Sequence, residues 1–409
     1  MPDPEAVVRS GEEAGLRQAG KRLQAWERGL QQRQLEVTAI AAPTGLEAAR
    51  AAWMVRQLAA LGWTAGLDRA GNVIAERTRS RGAGVIAVSA HLDTAFPAGT
   101  RVSVARRGTR LLGPGICDNG AGLAALLAIA RWLTEQDADS GAPVVLVANV
   151  GEEGEGDLKG MRHLFRPAGH WAQRIAWTLV LDGPGMRAIT AAALPSLRLR
   201  AVFTAPGGHS WSDAGRVSAV HAALRVGAAL LAQVRSEPGE MACNVGCLHG
   251  GGAVNMIAAE AEMKLDLRAR DPRRLHQLEL AVRRALAAGV EQENEVSSGG
   301  RVSARLESLG SRPGGELPPD APIVRVVRQV DSMLGIASEM QCASTDANIP
   351  IAQGRQAVRL GAGGAGGGIH TLGEWYEPSD RSLALQRLLW ILAALTSAQH
   401  ASQRSRLAS

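Results

Sequence analysis

The order of apolar runs along the chain predicts an α/β protein: a mostly parallel sheet with helices on both faces, plus an inserted α+β domain. Three observations carry this. The runs GVIAVSA, APVVLVANV and WTLVLDG are apolar with little alternation, as strands buried on both faces are. Segments with helical periodicity separate them, which gives the strand–helix alternation of a parallel sheet. Near Leu194 the texture changes to strands that alternate apolar and polar residues, such as SLRLRAVFTA and AEMKLDLRAR.

Residues from about Gly11 to Gln34 place apolar positions at helical spacing, and LEAARAAWMVRQLAALGW repeats the pattern after the breaker PTG. These predict two amphipathic helices. GNVIAE and GVIAVSA follow as strands, then a helix over roughly Ala121 to Thr134, the strand APVVLVANV, a polar loop and the strand WTLVLDG. The insertion reads strand, helix (Val217 to Val234), strands NVGCLHG and AEMKLDLRAR, helix LHQLELAVRRALAAG, strand RVSARLESL. After RPGGELPPD come a helix in IVRVVRQVDSML, a strand QAVRL, a glycine-rich loop and a helix in LALQRLLWILAALTSAQ. The expected domains are therefore 1–193 and 311–409, forming one discontinuous domain, and an insertion over 194–310. HASQRSRLAS reads as a loose tail.

Composition narrows the function classes. With 409 residues, 46% hydrophobic and 21% charged, the chain has a globular and not a disordered composition. The longest apolar run, AGLAALLAIARWL, is interrupted by Arg131 and too short for a membrane span. MPDPEAVVRSGEEAG lacks the basic start and apolar stretch of a signal peptide, and four cysteines are too few for a disulfide scaffold, so a cytoplasmic protein is expected. The net charge of +6 comes from 45 basic against 39 acidic residues, without a basic block interleaved with aromatics. No nucleic-acid or membrane partner is expected.

The chemistry-bearing residues cluster at predicted strand ends. VIAVSAHLDT ends a strand with His91 and Asp93, which at i and i+2 share one side of the sheet at its carboxyl end, where open α/β sheets place ligands. GPGICDNGAGLAALLAIA places Asp118 in a glycine-rich turn before a helix, where an N-cap is the alternative reading. Glu152 and Glu153 follow APVVLVANV directly, and two adjacent carboxylates suit a metal ligand beside a general base. Asp182 ends WTLVLDG, and His370 lies in GGGIHTLGEWYEP after a further strand. His91, Asp118, Glu153, Asp182 and His370 thus read as acceptors at successive strand ends of one sheet. Nitrogen and carboxylate donors without thiolates point to zinc, with manganese or cobalt as alternatives.

The order HLDT, CDNGAG, GEEGEG, LDG and IHTLGEW resembles the M20 zinc peptidases and amidohydrolases, a group that includes carboxypeptidase G, peptidase T and acetylornithine deacetylase. The resemblance spans nearly the whole chain and implies a zinc exopeptidase-like fold. It implies two zinc ions per subunit, about 3.5–4 Å apart. His91 and Asp182 would bind one, Glu153 and His370 the other, with Asp118 bridging, Asp93 orienting His91 and Glu152 acting as base. The insertion would be a lid and dimerisation domain of a homodimer. TAPGGHSWSD resembles the family segment whose histidine reaches the partner's site, which makes His209 the expected oxyanion stabiliser. NVGCLHGGGAVNMIAAEAEMKLDLR resembles the lid segment that grips substrate, here through Asn255 and Arg268. The alternative for Arg268 is an exposed residue on the polar face of its strand beside Asp266, but a guanidinium fork suits a substrate carboxylate, which favours the substrate role.

The activity implied is amide-bond hydrolysis in small peptides by metal-activated water, as in peptidase T-like or carboxypeptidase-like exopeptidases. The alternative is an N-acyl amino acid deacylase, and a catalytically silent binding homologue is a third reading. Asn119 replaces a second acidic residue common in the family, and MIA replaces a more usual IP after Asn255. STDANIP around Asp346 fits a substrate-side segment, a turn or a helix cap. The GxGxxG match from Gly361 to Gly366 is not followed by an apolar helix and predicts no dinucleotide site. Cys117 reads as site lining, and Cys243 and Cys247 as packed strand residues.

Overall fold

The computed structural model describes residues 12–77, 84–136 and 143–407, with side chains described from residue 19 through 399. The signal-peptide expectation, which rests on the opening residues, lies largely outside that set, as does the side chain of His400.

Helices α1 (Glu12–Ala39) and α2 (Ala48–Ala60) precede strands β1 (Thr64–Leu67), β2 (Val73–Glu76), β3 (Val85–His91), β4 (Ala105–Arg107) and β5 (Arg110–Leu112). Helix α3 (Gly120–Glu135), β6 (Val144–Asn149), the short α4 (Lys159–Leu164) and α5 (His170–Arg174), β7 (Ile175–Leu181) and β8 (Ala188–Ala193) follow. The next segment holds β9 (Ser196–Thr204), β10 (Gly208–His209), α6 (Ala219–Gln233), β11 (Met241–Gly250), β12 (Met256–Ile257), β13 (Glu260–Ala269), α7 (Pro272–Val296) and β14 (Ser303–Arg312). The chain ends with β15 (Gly315–Glu316), α8 (Pro322–Leu334), β16 (Glu339–Ala343), α9 (Asn348–Ala352), β17 (Gln356–Leu360), β18 (Ala365–Gly367), β19 (Trp375–Glu377) and α10 (Arg381–Leu407).

The chain divides into two compact units, Met1–Ala193 with Gly315–Ser409, and Leu194–Gly314. Among the described residues of the first, nine strands form one sheet in the order β1-β2-β6-β3-β7-β17-β8-β15, with β16 beside β8. Strands β6, β3, β7 and β17 run parallel, and β2 and β8 flank them antiparallel. All seven residues of β3 are buried, which accounts for its unbroken apolar run. Each buried valine or isoleucine there contributes roughly 1.5–3 kcal/mol relative to an exposed one.

Helix α3 packs against α1, α10 and β3, so it is apolar nearly all round. Its N-cap is Asn119 and not Asp118: Asn119 Oδ1 accepts the Gly122 N–H at 3.1 Å, and its Nδ2 donates to the Leu181 carbonyl at 2.9 Å. A Cβ at Gly122 would lie 2.7 Å from that carbonyl, so the glycine lets the helix start dock on the end of β7. Asp118 is thereby released from capping and faces the carboxyl ends of the strands.

In the second unit, β11-β13-β9-β14 form an antiparallel sheet, and α6 and α7 pack on one face. β13 alternates buried and half-buried residues, as a sheet covered on one side requires. On its polar face Arg200 pairs with Glu262 and Glu307.

Three sequence expectations are corrected. HASQRSRLAS is not a loose tail through most of its length, because α10 continues the backbone hydrogen-bond ladder to Leu407. The glycine-rich segment is not simply a loop: Ala365–Gly367 pairs with Trp375–Glu377 in a small sheet with β4 and β5. Its glycines are needed for close packing, since a Cβ at Gly366 would collide with the Cys117 sulfur. Strands β1, β8 and β16 are also present where the sequence reading assigned none; they are short or flank the sheet, so their apolar signal is weak.

Candidate functional site

The parallel register brings His91 opposite Asn149, and Leu181 opposite Leu360. His91, Glu152, Glu153 and Asp182 therefore emerge on the same edge of the sheet. Asp118 and His370 arrive differently, which corrects the expectation that all five acceptors sit at strand ends of one sheet. Asp118 lies in the turn before α3, and His370 in the loop between β18 and β19, at a positive φ of 64°.

These side chains meet. His91 Nε2 lies 2.9 Å from Asp118 Oδ1, and His370 Nε2 lies 3.3 Å from Asp118 Oδ2 and 3.0 Å from Glu153 Oε1. One donor atom each of His91, Asp118 and Glu153 falls within 4.8 Å of the others. Burial opposes charge on His91, but the hydrogen bonds to Asp118 and Asp93 and the Glu152 charge outweigh it and hold the imidazole well above its usual pKa. His370 is pushed up to about 10 by its hydrogen bonds to Asp118 and Glu153. Burial works against ionised Asp118 too, yet the two histidines keep it well below the carboxylate range. Both ring nitrogens of His91 face acceptor oxygens, Nδ1 the Asp93 carbonyl and Nε2 the Asp118 carboxylate, and a neutral imidazole has only one N–H, so a second proton or a cation fits between His91 and Asp118. The donor set, imidazole nitrogen with carboxylate oxygens, is one that could hold a metal ion.

Asp93 is buried beneath this cluster. Its carboxylate accepts the Glu152 and Glu153 N–H groups at 3.0 and 2.8 Å and the Thr44 hydroxyl at 2.9 Å. His91 Nδ1 is 3.6 Å from Asp93 Oδ1 and closer, at 3.1 Å, to the Asp93 carbonyl oxygen. Glu47 Oε1 accepts from Gly45 and Gly151, which holds the same loop from the other side.

Asp182 stands outside the His91–Asp118–Glu153 group; its ion-pair partner is Arg359, with Nε at 3.7 Å. Asp346 is fully buried and accepts from Asn149 Nδ2 at 2.6 Å. In the second unit, His209 and Asn255 are exposed on segments joined by the β10–β12 pairing, with the Ser210 N–H donating to the Asn255 carbonyl at 3.0 Å. Arg268 Nε donates to Asp266 Oδ2 at 2.8 Å, so its guanidinium already has a carboxylate partner.

Cys117 is buried, and desolvation together with the Glu374 and Asp118 charges holds its thiol well above the usual range, as suits a packed residue and not a nucleophile. Cys243 and Cys247 lie half-buried on β11. Sequence reasoning missed Thr44, Glu47, Arg359 and Glu374. Each acts through a partner remote in sequence, which leaves no local signal.

A largely parallel sheet with histidine and carboxylate donors gathered near its carboxyl edge defines an α/β protein with a candidate metal centre. The chain belongs to peptidase family M20/M25/M40, whose family model matches residues 87–393, and it is a hydrolase of amide bonds. That family is metal-dependent, and the buried histidine–carboxylate group could hold a metal ion. No curated protein matches the chain by sequence. Solved structures similar in fold include a tripeptidase from Staphylococcus aureus, 21% identical with a TM-score of 0.69, covering 91% of this chain and 99% of that one. The di-peptidase Dug1p from Saccharomyces cerevisiae is 13% identical with a TM-score of 0.75, covering 93% and 98%. An amidase of the hydantoinase/carbamoylase family from Burkholderia vietnamiensis is 18% identical with a TM-score of 0.71, covering 92% and 97%. Among the described residues, no helix is long and apolar enough to cross a membrane.

Proposed function

We propose that the protein is a dizinc exopeptidase acting on small peptides, with Glu152 as general base. The observation that carries this is the approach of His91 Nε2 and His370 Nε2 to opposite oxygens of one carboxylate, Asp118. A carboxylate shared in this way suits a bridge between two cations. His91 and Asp182 would hold one zinc, Glu153 and His370 the other, with manganese or cobalt as alternatives. When bound, the ions supply Lewis acidity toward the substrate carbonyl and lower the pKa of water.

The chain's own groups supply the rest. Glu152, buried beside the cluster, takes the proton of the attacking water and returns it to the leaving amine. Asp93 fixes the backbone from which Glu152 and Glu153 project. His209 Nδ1 accepts from the Trp211 and Ser212 N–H groups at 3.2 and 3.3 Å, which leaves the proton on Nε2. That tautomer is an outward donor suited to an oxyanion. Asn255 and Arg268 are the candidate grips for polar substrate groups, with Arg268 having to leave Asp266 to act. The unit from Leu194 to Gly314 is proposed as lid and dimerisation domain of a homodimer.

Metal analysis with kinetics of Glu152→Gln tests the mechanism: turnover should drop by about 10²–10⁴, with metal content kept. Undiminished turnover would remove Glu152 from the role of base. A screen of di- and tripeptides against N-acetyl and N-succinyl amino acids tests the substrate class. Preference for the acylated set would establish the deacylase instead.

A further inference from the structure

The turn that presents Asp118 is held from below by a single buried carboxylate. Glu374 Oε1 accepts the N–H groups of Cys117 at 2.7 Å and Asp118 at 2.8 Å, and Oε2 accepts that of Gly115 at 2.8 Å. The residue has no solvent exposure. Its backbone carbonyl also accepts the Gly113 N–H at 3.0 Å, so one residue takes four amides from the Gly113–Asp118 turn. Glu374 lies four residues after His370, whose ring approaches the Asp118 carboxylate at 3.3 Å. One short segment thus grips the turn twice, by its backbone through Glu374 and by its side chain through His370.

We propose that Glu374 is a positioning residue for metal binding: by fixing three amides of one turn, it sets the place and direction of the Asp118 carboxylate. The proposal rests on the reading of Asp118 as a metal ligand. Its physical basis is the cost of a free amide. Removing the carboxylate leaves three buried N–H groups without their acceptor, and the turn must move to satisfy them. Even a small displacement of a bridging carboxylate changes both distances to the donors that share it. Supports of this kind behind a ligand are worth about 10–100-fold in metal affinity.

The test compares wild type with Glu374→Gln, Glu374→Ala and Asp118→Asn. Each is purified by size exclusion, stripped of metal and titrated with cobalt(II) in competition with a chromophoric chelator, with visible spectra of the cobalt protein recorded. Glu374→Gln keeps one acceptor oxygen but must turn its amide NH₂ toward either the Gly115 N–H or the Cys117 and Asp118 pair. It should bind cobalt more weakly than wild type and more tightly than Glu374→Ala, which should lose about 10–100-fold. The cobalt bands should shift in both, since a displaced ligand changes coordination, which loss of stability alone does not do to the folded fraction. Wild-type affinity and spectrum in Glu374→Gln would overturn the proposal. So would failure of this isosteric variant to fold, which would assign Glu374 to the fold and not to the site. If wild type binds no cobalt, or Asp118→Asn binds it unchanged, the metal reading itself fails and the proposal falls with it. Loss of binding in Asp118→Asn with normal Glu374 variants sinks the proposal alone.

Discussion

Asp93 Oδ2 accepts the backbone N–H of Glu153 at 2.8 Å, and this bond ties the end of one strand to the start of the acidic loop after its neighbour. With the second bond from Glu152 to Oδ1, Asp93 clamps the two glutamates, and its Oδ1 also lies 3.6 Å from His91 Nδ1, whose shorter contact is the Asp93 main-chain carbonyl at 3.1 Å.

Asp93→Asn should therefore damage catalysis through the glutamates. The amide can accept at only one position, so one of the two buried N–H groups faces an NH₂ donor, at a cost of about 1–3 kcal/mol. The expected result is a fall in kcat of at least about 10-fold with KM little changed. Kinetics matching wild type would show that the clamp does not matter to turnover.

Asp346 gives a pH dependence. Burial is the largest influence and pushes its carboxyl up to about 7, against the His91 charge and the Asn149 hydrogen bond; Oδ1 lacks a hydrogen-bond partner. In the unfolded chain an aspartate titrates near about 3.9. A carboxyl raised on folding stabilises fully below the unfolded value, and that contribution is lost as pH climbs through about 7. Asp346→Asn keeps an acceptor for Asn149 but does not titrate. Between about pH 5 and pH 8 the Tm of metal-free wild type should fall relative to the variant. Parallel Tm curves across that range would show that Asp346 is ionised throughout.

The dimer reading makes a separate prediction. If His209 completes the site of a partner subunit, mixing inactive Glu152→Gln chains with inactive His209→Ala chains restores part of the activity, because one site in each heterodimer holds both groups. Demonstrated heterodimers without recovery would place His209 within its own subunit's chemistry or outside it.

Removal of the cation should also be legible in stability. With two imidazoles and two carboxylates converging, the chelated protein near about pH 8 must keep protons on His91 or His370 or leave carboxylates facing one another. Adding zinc should raise Tm in a concentration-dependent way, as for any ligand bound by the native state alone. An unchanged Tm at saturating zinc would remove the metal assignment.

The sequence by itself determined the α/β class, the inserted α+β segment and the residue types that do chemistry. These are local properties: a buried parallel strand is an unbroken apolar run, and the residues just beyond its last position are displayed at the sheet edge. Thus HLDT, GEEGEG and LDG could be placed without knowing which strand lies beside which. Tertiary structure alone decided what those groups touch. Glu374 reaches Asp118 across 256 residues, and Asn149 reaches Asp346 across 197. Arg359 meets Asp182 only because β17 lies next to β7. The helix cap fell to Asn119 and not Asp118 because Leu181 supplied a carbonyl for the Asn119 amide, a partner that no local pattern contains. Hydrogen bonds between segments distant in sequence depend on strand order, and strand order is settled by how the whole core packs, not by any single run of residues.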